Sequence, residues 1–463
     1  MSDRKPAEVE HLARFVDAAR FEDLSTEAIR ELKIRVLDSI GCAVGALDAE
    51  PVRMVRAVVN AFGGSPSATL IGGGSAPPDR TTLFNGALVR YLDFMDSYLA
   101  KGETNHPSDN LAPVLAAAEY NDISGREFLL ALAVAYQVHT RLSDVAQVRH
   151  KGFDHTTQGA YAVAAGVAKA LGLGPDRTAN AIAISATANN ALRVTRTGRL
   201  SHWKGLAYPY MAAAATLAAF LARQGVTGPM EVLEGNKGFK ETIAGPFEID
   251  WSAEDLESVR RTIIKKYNAE IHAQSAVEAV VELKEQNGLE GAEIDGVDID
   301  IFDVAFNIIG GGEEGNKRDI RTKEEADHSL PYMIAAALLD GELVPRQYTK
   351  ERIGSDDVQR LLRRVTVRPN TNFSREFPEW MPAHVSVRLS DGRSLETKKR
   401  DYEGFQSRPM SWARAAAKFH HLAEPRATKD SRQSFVGALE EIESLTVREF
   451  TRNLSNLRRE MAA

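Results

Sequence analysis

From Ser25 to about Gly238 apolar residues recur at spacings of three and four with few β-branched clusters, which predicts helices almost throughout this half of the chain. The clearest runs are 128–147, 156–171, 178–192 and 206–223. Gly172-Leu173-Gly174-Pro175 and Gly225-Val226-Thr227-Gly228-Pro229 read as helix stops followed by proline. The period then changes. Val297, Ile299 and Ile301 alternate with aspartates, Val365 and Val367 flank Thr366, and Val385, Val387 and Leu389 run into an Asp391-Gly392 turn, so a return strand is expected after it. Helical patterns at 272–287 and 327–339 lie between these strands. An α+β segment is therefore expected, bounded near Asn268 and Tyr402, with helical period resuming at 412–419 and 433–459.

The fold class that follows is mainly α, with a large all-helical domain over residues 1–268 and 403–463 and a smaller α+β domain over 269–402. No repeat of fixed period stands out. The uncharged run 205–222 approaches the length of a membrane span, but it contains Tyr208, Pro209, Tyr210 and many alanines, so a buried core helix is expected and no membrane is called for. The N-terminal residues MSDRKPAEVEHLARF carry acids and lack a signal-peptide core, and a cytoplasmic location is expected.

Charge narrows the partners. A net charge of −7 argues against nucleic-acid binding, which needs a basic field. Positive charge is nevertheless concentrated locally: from Arg177 to Met230 there is no acid, while Arg177, Arg193, Arg196, Arg199, Lys204 and Arg223 fall within the run. Its centre, RVTRTGRLSHWK, mixes cations with hydroxyls in a way that suits carboxylate or phosphate oxygens, and equally describes a solvated loop. Cys42 is the only cysteine, which excludes an internal disulfide, a cysteine-rich zinc site and a thiolate-held iron–sulfur cluster.

The stretch RYLDFMDSYLAKGETNHPSDN, residues 90–110, places two aspartates, an arginine and a histidine between alanine-rich apolar segments. If the preceding helix runs through Asp93 and Asp96, both carboxylates lie on one face. Histidine as a residue type changes charge near neutral pH, and a carboxylate can orient one such as His106 for proton transfer; the same residue types also serve as helix caps. GGGEEGNK, residues 310–317, resembles a phosphate loop only superficially, since Lys317 does not follow Gly315 directly and Glu313 and Glu314 would repel phosphate. His420-His421 has no spaced third ligand. A magnesium–diphosphate enzyme is a remote alternative for Asp93 and Asp96, but it needs a second acidic cluster and an aromatic cavity, and aromatic content is only 7%. A helical protein with no catalytic role is the other remote reading.

Taken in order, the motifs LKIRVLDSIGCAVGA (32–46), NGALVRYLDFMDSYLAKGETNHPSDN (85–110), GFDHTTQGAYAVAAGVAKALGL (152–173), LSHWKGLA (200–207), VTGPMEVLEGNKGF (226–239), KKYNAEIHAQSAVEA (265–279) and DHSLPYMIAAALLDGEL (327–343) resemble the MmgE/PrpD family over nearly the whole chain. The resemblance implies that the α+β domain acts as a lid, that the protein is a homodimer, and that catalytic residues are Asp93, His106, His155, Lys204 and Tyr332. Arg90, Lys265, Arg196, Glu270 and His272 are expected to bind substrate, with no metal and no cofactor. In the decarboxylase and epimerase branches a histidine commonly stands at the Arg90 position, so the arginine favours the dehydratase branch. HPSDN points the same way. The junction Asn268-Ala269-Glu270-Ile271-His272 keeps the dehydratase motif except for its proline. The expected activity is a hydro-lyase on 2-methylcitrate or a close tricarboxylate such as citrate, the alternatives being cis-aconitate decarboxylation and iminodisuccinate epimerisation. His106 would take the proton at carbon, oriented by Asp93, and His155 with Tyr332 would protonate the leaving hydroxyl, or the histidines would exchange roles.

Overall fold

The structure, a computed structural model, describes residues 5–458. The chain is predominantly helical and divides into two compact units. The first takes the residues up to 195, then 205–262 and those from 411 on; the second takes 196–204 and 263–410.

In the first unit nine helices precede residue 230 among the described residues: α1 (Glu8–Ala18), α2 (Thr26–Gly45), α3 (Glu50–Phe62), α4 (Pro78–Tyr91), α5 (Leu111–Asn121), α6 (Gly125–Val145), α7 (Thr156–Ala170), α8 (Pro175–Ala188) and α9 (Trp203–Arg223). Their starts follow from local chemistry. The Ser25 hydroxyl accepts the Ala28 N–H at the head of α2, Ser124 and Glu127 form a reciprocal capping box on α6, and Pro175 stands at the first turn of α8. Two short hairpins interrupt the helices, β1 (Ala68–Thr69) with β2 (Ser75–Ala76) and β3 (Tyr98–Ala100) with β4 (Glu103–Asn105).

Helix α7 is the centre of this unit, with only Lys169 not buried along its length. It packs on α6, α8 and α5. Its glycines permit that approach: a methyl on Gly166 would lie 2.8 Å from Ala135 Cβ and from Val114 Cγ2. From the far end of the chain, helix Trp412–Ala423 packs on α2, where Phe419 covers Gly41 and Lys418 pairs with buried Asp38 at 2.7 Å. Helical period was expected over 433–459; the structure has two helices, Lys429–Glu440 and Val447–Ser455, separated by a turn, and Arg459 lies outside the described residues.

Helix α9 departs from the expectation of a fully buried core helix. Ala207, Tyr208, Met211, Ala212, Ala215, Ala218, Ala219 and Ala222 are buried, yet Tyr210, Leu217 and Leu221 on the other side are exposed. It is the one helix among the described residues long and apolar enough to cross a membrane, and 56% of its most apolar window is buried within the protein. The two-sided pattern has a simple cause: the buried side is alanine-rich for close packing, as at Gly86 against Pro209, while the larger side chains project away.

The second unit is built on a four-stranded sheet in the order β6-β5-β7-β8: β5 (Ile294–Ile301), β6 (Val365–Pro369), β7 (Ala383–Leu389) and β8 (Ser394–Lys399). β6 runs parallel to β5, and β7 and β8 are antiparallel additions, the last closed by the Asp391-Gly392 turn. Helix α10 (Gln274–Asn287) and helix Leu330–Asp340 pack together and contact the strands. Strand β7 alternates buried Ala383, Val385, Val387 and Leu389 with more exposed His384, Ser386 and Arg388, as a sheet covered on one face requires.

Candidate functional site

The stretch 90–110 does not continue as one helix. Helix α4 ends at Tyr91, and Asp93 adopts a left-handed backbone with φ +55, stabilised by its N–H donating to the Arg90 carbonyl at 3.1 Å. A non-glycine residue held there is strained, and such strain concentrates at functional positions. The kink means that Asp93 and Asp96 do not share a helix face, against expectation, and the β3–β4 hairpin occupies the span between them and His106. The missed signal was the turn pair Lys101-Gly102, with Gly102 at φ +85.

Each acid then has its own task. Asp93 accepts from Arg90 Nη1 at 2.6 Å, and the Arg90 Nε stands 3.7 Å from Asp109. Burial works against the Arg90 charge, but Asp93, Asp109 and Asp154 outweigh it and raise its pKa above the usual arginine range. Arg90, expected to clamp substrate, therefore spends its charge organising carboxylates of its own unit. Asp96 receives the Ser108 N–H at 3.0 Å and the Tyr136 hydroxyl at 2.9 Å, tying the loop to α6.

His106 is oriented by the same loop. Its Nδ1 lies 2.9 Å from the Asp96 carbonyl oxygen and 3.1 Å from the Ser97 hydroxyl. A carbonyl only accepts, so Nδ1 carries the proton and the ring's basic lone pair is on Nε2. His155, at the head of α7, is 5.6 Å from His106 between ring centroids, edge to face. It differs in partner: its Nδ1 is 3.3 Å from Asp154, a fully buried carboxylate that also faces Arg193 at 3.8 Å. A carboxylate at Nδ1 favours the imidazolium.

Behind His155 the Tyr208 ring stacks at 5.9 Å, and its hydroxyl donates to Asn110 at 3.0 Å. The Asn110 amide in turn donates to Nδ1 of His139 at 3.1 Å. Burial pushes His139 down to about 3, so it stays neutral and serves to hold Asn110. Gly159 makes this stack possible, since a Cβ there would come within 2.5 Å of the Tyr208 ring. None of His139, Asp154 and Tyr208 is a site residue in the sequence reading, and Asp109 and Asn110 enter it only as the end of the HPSDN motif.

The second unit carries its own charge cluster. Lys204 reaches the buried Asp327 carboxylate at 2.6 Å, Lys323 its other oxygen at 2.6 Å, and the His328 Nδ1 at 2.8 Å. Burial opposes ionisation of Asp327, but these three partners hold it well below the usual carboxylate range. Arg196 Nη1 donates to the Lys204 carbonyl at 2.7 Å, and Lys265 is fully buried. Glu270 holds both the backbone N–H and the Nδ1 of His272 at 2.8 Å. Although burial would raise it, His272, His328 and Lys265 bring Glu270 down to about 2. His272 itself sits against the stacked rings of Phe302 and Phe377.

Tyr332, expected as a proton donor, is fully buried in helix Leu330–Asp340, donates its hydroxyl to the Gln347 carbonyl and packs on Tyr348 at 5.8 Å. Its proton is committed to the core. The most informative overlooked signal is the dipeptide Asp-His, at 154–155 and again at 327–328, where in each case the aspartate faces Nδ1 of the histidine that follows. The acid-free run is likewise matched by buried acids from other segments, Asp154 for Arg193 and Asp327 for Lys204.

Residues 10–252 match the MmgE/PrpD N-terminal domain and residues 267–443 the MmgE/PrpD C-terminal domain. The chain belongs to the MmgE/PrpD family. Within this family it is similar to the 2-methylcitrate dehydratase of Cupriavidus necator, 29% identical with 85% of each chain covered. It is 27% identical to the 2-methylcitrate dehydratase of Salmonella typhimurium (strain LT2), over 77% of each chain. It is also similar to the cis-aconitate decarboxylase of Mus musculus, 25% identical over 94% of this chain and 91% of that protein.

Proposed function

We propose that this chain is a hydro-lyase that converts 2-methylcitrate, or a close tricarboxylate such as citrate, to the corresponding cis-aconitate by acid/base elimination without a metal ion. The observation that carries the reading is the unequal histidine pair. His106, with a carbonyl at Nδ1, is suited to act as a neutral base through Nε2; His155, with a carboxylate at Nδ1, is suited to act as an imidazolium acid.

In this reading His106 takes the proton on the carbon α to a carboxylate. The C–H electrons form the double bond, the C–O bond breaks, and the departing hydroxide takes a proton from His155 and leaves as water. Charge that builds on the substrate carboxylate is met by Lys204 and Lys265, donors whose effect on rate is about 10²- to 10³-fold each when positioned. Asp93 and Arg90 shape the His106 loop, and Arg196 supports the Lys204 backbone. Glu270 and His272 are proposed to set the junction beside Lys265. Tyr332 has no role in this scheme.

Supporting dehydration are the relatives named as 2-methylcitrate dehydratases and the arginine at position 90. Decarboxylation of cis-aconitate is the second reading, favoured by the extent of the match to the mouse decarboxylase. Proton NMR of the purified protein with 2-methylcitrate, citrate, cis-aconitate and iminodisuccinate separates them. Olefinic product from either hydroxy acid supports dehydration, and loss of carbon dioxide from cis-aconitate alone overturns it. Turnover retained after exhaustive chelation supports side-chain catalysis; loss restored only by iron or magnesium refutes it.

We further propose a cytoplasmic homodimer. The stripe of Tyr210, Leu217 and Leu221 on α9, uncharged and exposed, supports a second copy as its cover. Light scattering reads the mass directly, and a monomer would refute it.

A further inference from the structure

A cavity of about 470 Å³ lies wholly within the second unit, lined by residues 198–200, 314–317 and 319–322 and by Glu325. It holds the lysine of the discounted GGGEEGNK segment. Lys317 is 8% exposed, and its backbone is fixed by the Ser329 hydroxyl, which donates to its carbonyl at 2.6 Å. Its ammonium makes no hydrogen bond or ion pair among the described residues. The side chain is buried along its stem while its ammonium opens on the cavity, where an anionic group can supply the charged hydrogen bond that the protein does not.

The neighbouring acids do not complete it. Glu270 and Asp327 feel its charge, but the first is bound to His272 and the second to Lys204, Lys323 and His328. Within the lining, Asp319 pairs with Arg321 at 3.2 Å, and Glu325 accepts the N–H groups of Arg321 and Thr322 as a helix cap. Glu314 contributes one negative charge beside Lys317. Arg199, exposed at the rim and without a partner among the described residues, adds a second cation. Burial lowers the Lys317 pKa, against Glu314, Glu270 and Asp327, so the amine gains most from an anionic ligand.

We propose that Lys317 is a substrate-binding residue whose ammonium, with Arg199 at the rim, holds one carboxylate of a di- or tricarboxylate in this cavity. The proposal rests on the reading of the substrate as a tricarboxylate. A lysine suits this place because its compact ammonium meets a carboxylate as a point charge.

The test is titration calorimetry of the full chain with tricarballylate, a tricarboxylate that lacks the hydroxyl and cannot be dehydrated. Lys317→Gln is expected to weaken binding about 10- to 100-fold, as loss of a charged hydrogen bond does. Arg199→Ala should weaken it about threefold, as a rim charge in high dielectric does, and Lys350→Ala should bind like the parent. Unchanged binding in Lys317→Gln, or no binding by the parent chain, overturns the proposal. If Lys317→Gln fails to fold, acetylation footprinting of the parent chain decides: tricarballylate must protect Lys317 and leave Lys350 unprotected, and equal labelling refutes it. Turnover separates this from the activity itself. Normal KM for 2-methylcitrate in Lys317→Gln sinks the subsite and leaves the hydro-lyase standing; no turnover of any acid by the parent, with tricarballylate binding lost in Lys317→Gln, does the reverse.

Discussion

Replacing Gly159 by alanine tests whether the ring stack behind His155 is as tight as its geometry implies. The added Cβ would stand 2.5 Å from Cε2, 2.6 Å from the hydroxyl and 2.7 Å from Cζ of Tyr208. Ordinary carbon contacts begin near ~3.5 Å, so the ring must retreat by about 1 Å. That is enough to break the 3.0 Å bond from the Tyr208 hydroxyl to Asn110. Overpacking costs about 1–3 kcal/mol and the lost bond about 1 kcal/mol. Alanine returns about 1 kcal/mol through helix propensity, leaving a net destabilisation of about 1–3 kcal/mol. Urea denaturation measures this, and turnover should fall as His155 loses its backing. The decisive assay is the cycle with Tyr208→Leu, which removes the obstructing ring. Coupling of at least about 1 kcal/mol between the two changes is expected. Additive energies would show that the Gly159–Tyr208 contact does not set the stack.

Other outcomes follow from individual side chains. Asp154→Asn should lower turnover about 10²-fold and move the basic limb of the kcat–pH profile to lower pH, because the imidazolium of His155 loses its carboxylate; an unmoved limb would remove His155 as the acid. His106→Ala and Lys204→Ala should each cost about 10²-fold or more with the fold retained, since Asp327 keeps Lys323 and His328; near-normal kinetics in either would dismiss that residue. Burial raises Glu103 on β4 to about 7 against hydrogen bonds from Arg149 and Val148, so the folded state holds a proton that the unfolded chain has lost between about pH 4.5 and 7. Stability from this group therefore falls as pH rises across that window. Glu103→Gln should abolish the slope and raise stability at pH 8 by up to about 3 kcal/mol; a slope unchanged in urea midpoints would refute it.

The helices of the first unit were legible because long apolar runs with proline and glycine punctuation leave little choice of period, and the strands at 294–301 and 383–389 because valine and isoleucine alternate with polar residues. The site was legible only as residue types. Asp93 and His106 stand out as charges between apolar segments, Lys204 within a basic run, and His155 only through the resemblance, but what each one faces depends on backbone turns, such as φ +55 at Asp93, that local pattern does not encode. Tyr332 came from the family resemblance alone, and the carbonyl that takes its hydroxyl proton, that of Gln347, lies fifteen residues further on, where local pattern gives no sign of it. His139 carries no signal in the sequence, and its use emerges only through Asn110 and Tyr208.

The first unit draws its last helices from beyond residue 411, and this has a consequence during synthesis. Helix α2 emerges from the ribosome early, yet Phe419, which covers Gly41, and Lys418, which neutralises Asp38, follow more than 370 residues later. At about 5–20 residues per second the nascent chain carries an uncovered groove and an unpaired Asp38 for roughly 20–75 s. Expression yield should therefore depend on holdase chaperones and on elongation rate more than on the stability of the finished protein. A circular permutant that begins near residue 411 would shorten that interval, because Phe419 and Lys418 would then precede α2.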